Sequence, residues 1–158
     1  MKTLTSRLLC AMALAVPLCT WAQDTETEPN NDIASADPIT LGTAMIGDMG
    51  GPPCASGTSD DYFRLDLLSD GRLTINTLAD NSSAGSSTVR VDVYNSVGSQ
   101  ITWFTHPTGP QGSPTSANTT VDCVSKGLYY LRIQRGNTGL CYTYAMTLTL
   151  TAPLFADD

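Results

Sequence analysis

From Tyr142 to Leu150 every second residue is large and apolar. Tyr142, Tyr144, Met146, Leu148 and Leu150 alternate with Thr143, Ala145, Thr147 and Thr149. A period of two puts the first five on one face of an extended strand, whereas a helix would scatter them around its circumference. Shorter stretches repeat the pattern. Phe63, Leu65 and Leu67 share a face, as do Val89, Val91 and Val93, and Tyr129, Leu131 and Ile133 point inward while Tyr130, Arg132 and Gln134 face water. Gly, Pro, Asn, Asp and Ser clusters separate these runs, and no segment keeps helical periodicity long enough to compete. Strands are expected near Ile39 to Asp48, Tyr62 to Leu68, Arg72 to Ala79, Thr88 to Asn95, Gln100 to Thr105, Thr119 to Val124, Leu128 to Gln134 and Cys141 to Thr151. Eight short strands at roughly 8–12-residue spacing predict an all-β antiparallel sandwich or barrel. Asp70-Gly71 reads as a tight hairpin turn, and Asn137 to Gly139 as another. The inward stripes form the core, each large apolar side chain contributing about 2 kcal/mol.

The first 22 residues fall outside this pattern. Lys2 and Arg7 precede an apolar stretch from Leu8 to Leu18, and Thr20-Trp21-Ala22 places small residues where a signal peptidase reads them. A secretory leader over 1–22 is expected, with a soluble protein released to the periplasm or the exterior. Four segments follow from this reading: the leader, an acidic surface arm over 23–38, a sandwich domain over 39–152 and a tail over 153–158. Losing Lys2 and Arg7 leaves 6 basic against 15 acidic residues, a net charge of −9. Such a chain lacks the clustered Lys and Arg on which nucleic-acid or anionic-membrane binding depends. Cys54, Cys123 and Cys141 remain, giving one bridge and one leftover thiol in an oxidising compartment. If strands alternate in direction, Cys54 and Cys141 lie at the same end of the sandwich and Cys123 at the other. A Cys54–Cys141 disulfide is therefore expected, with Cys123 a small buried hydrophobe.

Catalytic signatures are missing. His106 is the single histidine, before Pro107 at a strand end, with no nucleophile elbow, histidine cluster or C-x-x-C pair beside it. The chain reads as non-catalytic, although a carboxylate pair of a small hydrolase could hide among its acids. Trp103 and Phe104 are adjacent, so they point to opposite sides of one strand, one to core and one to solvent. Trp103, with Tyr130 and Arg132 on an outward face, forms the candidate ligand-binding set, because exposed aromatics beside arginine can hold a peptide or a glycan. Asn81-Ser82-Ser83 and Asn118-Thr119-Thr120 match glycosylation acceptors and are read as loop chemistry.

Three stretches in order, ETEPNNDIASADPI, SDDYFRLDL and KGLYYLRIQ followed by GLCYTYAMTLTL, resemble the bacterial pre-peptidase C-terminal domain. This is a secreted module often appended to extracellular proteases and related to collagenase collagen-binding domains. The resemblance runs from about Glu26 to Leu150 and implies a jelly-roll-like β-sandwich. Calcium-binding members hold the ion with acidic residues from the arm and from the stretch before the DYF-like strand. The resemblance therefore implies a Ca²⁺ site at Glu26, Glu28, Asn30, Asn31, Asp60 and Asp61, with Asp32 and Asp48 nearby. Ca²⁺ takes six to eight hard oxygens, and carboxylates two residues apart on an extended arm point the same way. The expected role is a binding module for an extracellular or periplasmic protein or polysaccharide. The competing role is a chaperone-like accessory to a separate secreted protease.

Overall fold

The computed structural model describes residues 23–49, 60–83, 85, 87–136 and 140–152. Ten strands and one short 3₁₀ helix, Ile33–Ser35, make up the described chain: β1 (Gln23–Thr25), β2 (Asp37–Pro38), β3 (Ala44–Met49), β4 (Asp61–Leu67), β5 (Gly71–Asn81), β6 (Ser87–Asn95), β7 (Gln100–Thr108), β8 (Thr115–Val124), β9 (Gly127–Arg135) and β10 (Tyr142–Thr151). They form two five-stranded sheets, sheet I in the order β1-β3-β10-β5-β8 and sheet II in the order β2-β4-β9-β6-β7. The stripes read from the sequence meet between them. Phe63, Leu65, Leu67, Val89, Val91, Val93, Leu131, Ile133, Tyr142, Tyr144, Met146 and Leu148 are all buried, and Tyr129 and Leu150 are partly covered at the margin. Eight of the strands match those expected, so the sandwich is the architecture and the barrel is set aside.

Three features of the strand layout differ from the sequence reading. The acidic arm is part of both sheets: β1 pairs in parallel with β3, and β2 in parallel with β4. Strands of three and two residues carry no periodicity, so sequence alone shows only acidic surface. The first predicted strand is shorter than expected, because Gly42 takes a left-handed turn (φ 79°) and β3 starts at Ala44. Asp70-Gly71 makes no hairpin, for β4 lies in sheet II and β5 in sheet I, so the chain crosses between layers there. The Asp70 carboxylate instead accepts the Lys126 N–H at 2.6 Å and ties this crossing to the one entering β9.

Of the consecutive strands, β6 and β7 are joined as a hairpin within one sheet. The other turn expected at Asn137 to Gly139 falls outside the described residues, as do the leader, Cys54 and the tail. Cys123 is an exposed free thiol in a left-handed conformation (φ 58°), not the buried hydrophobe expected. It is displaced outward where the β5–β8 register shifts between Gly71 and Leu73. Cys141 is engaged rather than free. Asn81 and Asn118 lie in β5 and β8 rather than in loops. Asn81 is buried, donating to the Gly109 carbonyl and the Thr108 hydroxyl, which removes it as a glycan acceptor.

Candidate functional site

The arm crosses one open side of the sandwich and is stapled to each sheet in turn. The Glu26 N–H donates to the Ile46 carbonyl of β3 at 3.0 Å, and four residues later the Asn30 carbonyl accepts the Tyr62 N–H of β4 at 2.9 Å. This brings Glu26, Glu28 and Asp61 together, each with a carboxylate oxygen within 4.8 Å of the others. Tyr144, from the centre of sheet I, completes the cluster, its hydroxyl 2.7 Å from Glu26 Oε2 and 2.6 Å from Asp61 Oδ2. It reaches them because Gly47 is its cross-strand neighbour, and a Cβ there would fall onto the Tyr144 ring and the Glu26 carboxyl.

Asp61 is fully buried, and burial, then the neighbouring Glu26 charge, push its carboxyl up to about 9. Burial raises the Tyr144 hydroxyl as well. Asn30, also fully buried, donates from its backbone to Glu28 at 3.3 Å and from Nδ2 to Glu26 at 3.4 Å. Two acceptors are left over: Asn30 Oδ1 and Asp61 Oδ1 are buried with no hydrogen-bond donor. No described Lys or Arg forms an ion pair with the three carboxylates. An all-oxygen set of three carboxylates, an amide oxygen and a tyrosine hydroxyl suits a hard divalent cation. The other residues in the expected set lie elsewhere. Asn31 is exposed. Asp60 turns to Gln134 Nε2 at 3.0 Å and Arg132 Nη1 at 3.5 Å. Asp32 caps the 3₁₀ helix through the Ser35 N–H, and Asp48 gives its backbone N–H to Glu26 at 2.6 Å.

The outer face of sheet II carries the second site. Register places Tyr62, Arg132, Asp92 and Trp103 in one row across β4, β9, β6 and β7, with Arg64, Tyr130 and Tyr94 in the next. Asp92 is at the centre and has 0% exposure. One of its oxygens accepts Arg90 Nε and Nη2, both at 2.7 Å, and the other accepts Arg132 Nε at 2.9 Å and Nη2 at 2.6 Å. Burial alone would lower the Arg132 guanidinium, but its hydrogen bonds to Asp92 outweigh that and hold it above its usual value. Tyr62 and Tyr94 lean together over Arg132, their ring centres 6.3 Å apart and its Cζ 5.9 and 5.7 Å from them. The Arg90 Cζ lies 4.6 Å from the Trp103 ring centre, and Trp103 itself is 55% exposed. Ile33 of the arm reaches the β6–β7 turn, its Cδ1 3.2 Å from where a Gly98 Cβ would stand.

Trp103, Tyr130 and Arg132 thus share one face, and of the adjacent pair it is Phe104 that turns inward, against the ring of His106. Sequence reasoning did not single out Asp92, Arg90, Tyr62 or Tyr94. Their signal was available in the outward positions opposite Val91 and Val93 on β6 and opposite Phe63 on β4. Nor did it single out Tyr144 and Gly47, where the signal was the pair of hydroxyls, Tyr142 and Tyr144, at the start of an otherwise aliphatic stripe. His106 is buried between Thr77 Oγ1 at 2.5 Å and Thr119 Oγ1 at 2.8 Å, and burial lowers its pKa. It ties β7 of sheet II to β5 and β8 of sheet I.

No protein-family model matches the chain, and no curated protein matches it. Among solved structures it is similar to the pre-peptidase C-terminal domain of collagenase from Bacillus anthracis, at 18% identity and a TM-score of 0.48, over 72% of this chain and 94% of that one. That is the domain type the sequence motifs resemble. It is also similar to a CBM4 structure, at 10% identity and a TM-score of 0.47, over 58% of this chain and 61% of that one. A third is the CBM22-1 xylan-binding domain from Paenibacillus barcinonensis Xyn10C, at 8% identity and a TM-score of 0.40, over 56% of this chain and 65% of that one. Among the described residues no helix is long and apolar enough to cross a membrane.

Proposed function

We propose that this chain is an exported, non-catalytic binding module that holds an extracellular or periplasmic polymer against the outer face of sheet II. The observation that carries the reading is the row Tyr62, Arg132, Asp92 and Trp103. Two guanidinium groups, of Arg90 and Arg132, are fixed in place by one wholly buried carboxylate, and the exposed indole lies against the first of them. Groups held this way lose little freedom when a ligand arrives, so their contacts translate into affinity. A pull-down of the mature protein on insoluble polymers tests this. Retention that falls at least tenfold in Trp103→Ala supports it, and no retention on any matrix favours the accessory role instead.

The arm site is proposed to take Ca²⁺, with Glu26, Glu28 and Asp61 as carboxylate donors and Asn30 Oδ1 as the amide donor. The ion supplies positive charge to three converging carboxylates and a partner for the two unpaired buried oxygens. Its role in this reading is structural, fixing the arm to both sheets beside the binding face. Melting the protein with calcium and with chelator tests it. Calcium at a hundredfold over its dissociation constant should stabilise by about 2.7 kcal/mol, and an unchanged midpoint removes the ion from the account. The Cys54–Cys141 bridge is proposed on the same footing and predicts one free sulfhydryl in the unfolded, unreduced mature protein.

A further inference from the structure

Resting on the reading of sheet II as the binding face, we infer that its polymer is a neutral polysaccharide, bound by stacking on Trp103 and by hydrogen bonds to the Arg90–Asp92–Arg132 network. Three observations separate this from a peptide or a polyanion.

The first is charge. Six basic residues follow the leader, and three of them, Arg64, Arg90 and Arg132, lie on this face. They are matched there by three acids, Asp60, Asp66 and Asp92. Arg90 and Arg132 converge on Asp92, and Arg132 also reaches Asp60. The face therefore sums to zero on a strongly acidic protein. A polyanion would need uncompensated cations, and a polycation would prefer the acidic surfaces elsewhere.

The second is backbone. Residues 90 to 94 of β6 and 130 to 133 of β9 are paired on both sides within the sheet. An extended peptide cannot add itself as a strand over Arg90, Asp92 and Arg132, which is the main way sheets bind peptides; that mode is left to the sheet edges, among them β7, and gelatin in the test below probes it.

The third is the kind of group displayed. The face offers an exposed indole, three tyrosines and planar donors and acceptors fixed at known positions. A pyranose ring is built to use that combination, its C–H face lying on the indole and its hydroxyls taking hydrogen bonds from guanidinium and phenol. The polar groups fix orientation while the aromatic area supplies contact.

Electrophoresis of the mature full chain through native gels containing dextran, mixed-linkage β-glucan, xylan, alginate or gelatin tests the inference. Retardation by at least one of the neutral glycans is expected. Trp103→Ala should weaken it about tenfold or more, and Trp103→Phe should keep part of it. Leu78→Ala, on the outer face of sheet I, should leave it unchanged. Matching thermal melts show that each variant is folded. Trp103-dependent retardation by gelatin or alginate alone overturns the neutral-polysaccharide assignment but keeps the binding face. No retardation by any of the five overturns both.

Discussion

The two outer faces of this sandwich are built on the same scaffold and present opposite chemistry. On sheet I the outward residues of the central rows are Thr149, Thr74 and Thr120, then Ala44, Thr147, Asn76 and Asn118, then Ile46, Ala145, Leu78 and Ser116. None is charged or aromatic. On sheet II the corresponding rows hold tyrosines, tryptophan and arginines around a buried aspartate. Threonine on a strand surface satisfies β-propensity and hydration and needs nothing else. A buried carboxylate ringed by arginines has a desolvation cost that hydrophobic residues of the same size would avoid. The first kind of face is all that folding asks of a sheet; the second kind costs stability, in keeping with the binding role proposed for it.

The sharpest way to break this contrast is Asp92→Ala. It leaves Arg90 and Arg132 facing each other without their shared acceptor, and should cost about 3 kcal/mol in a denaturant melt as well as abolish retention on the polymer. Asp92→Ala stability within about 0.5 kcal/mol of wild type would mean the network is ornamental. Gly47→Ala comes next. Its Cβ falls on the Tyr144 ring, so a loss of about 1–3 kcal/mol is expected, together with the disappearance of any difference between melts in calcium and in chelator. Trp103→Ala should weaken polymer binding about tenfold, some 1.4 kcal/mol, while the melting midpoint barely moves.

A smaller effect is expected at the β7–β8 edge, where burial holds the His106 pKa below its ordinary value. The neutral ring is the folded form, so its stabilisation is complete above the unfolded pKa of about 6.5 and is lost as pH falls through the lower folded value. Midpoints measured across that window should drop less steeply in His106→Gln than in wild type. Smallest of all, Thr74→Ser on sheet I should change stability by less than about 0.5 kcal/mol and binding not at all. A binding loss there would move the site to the other face.

The strands that build both faces could be read from the sequence because alternation over six to eleven residues leaves no competing structure. That Trp103 and Phe104 lie on opposite sides follows from adjacency alone; which of them faces solvent does not. Asp92 could not be placed, since an acid in an outward position reads as solvated and only the two arginines brought from β6 and β9 bury it. Tyr144 was legible as core but not as a ligand to Glu26 and Asp61, because that role depends on the arm folding back across the edge. The arm's carboxylates came from family resemblance rather than from any periodicity. Asp70-Gly71 misleads for a related reason: a turn sequence specifies a reversal, not which layer the next strand joins.

That layer-swapping path bears on how the molecule matures. In sheet I the strand between β3 and β5 is β10, the last one formed, so the middle of that sheet stays vacant until the far end of the polypeptide is available. Pairings so distant along the chain close late and at a high loop-entropy cost, which makes folding slow. A polypeptide that cannot lock its first half in place before β10 is available stays threadable for longer, a useful property under the proposed export, in which it would pass through a narrow translocation channel before folding.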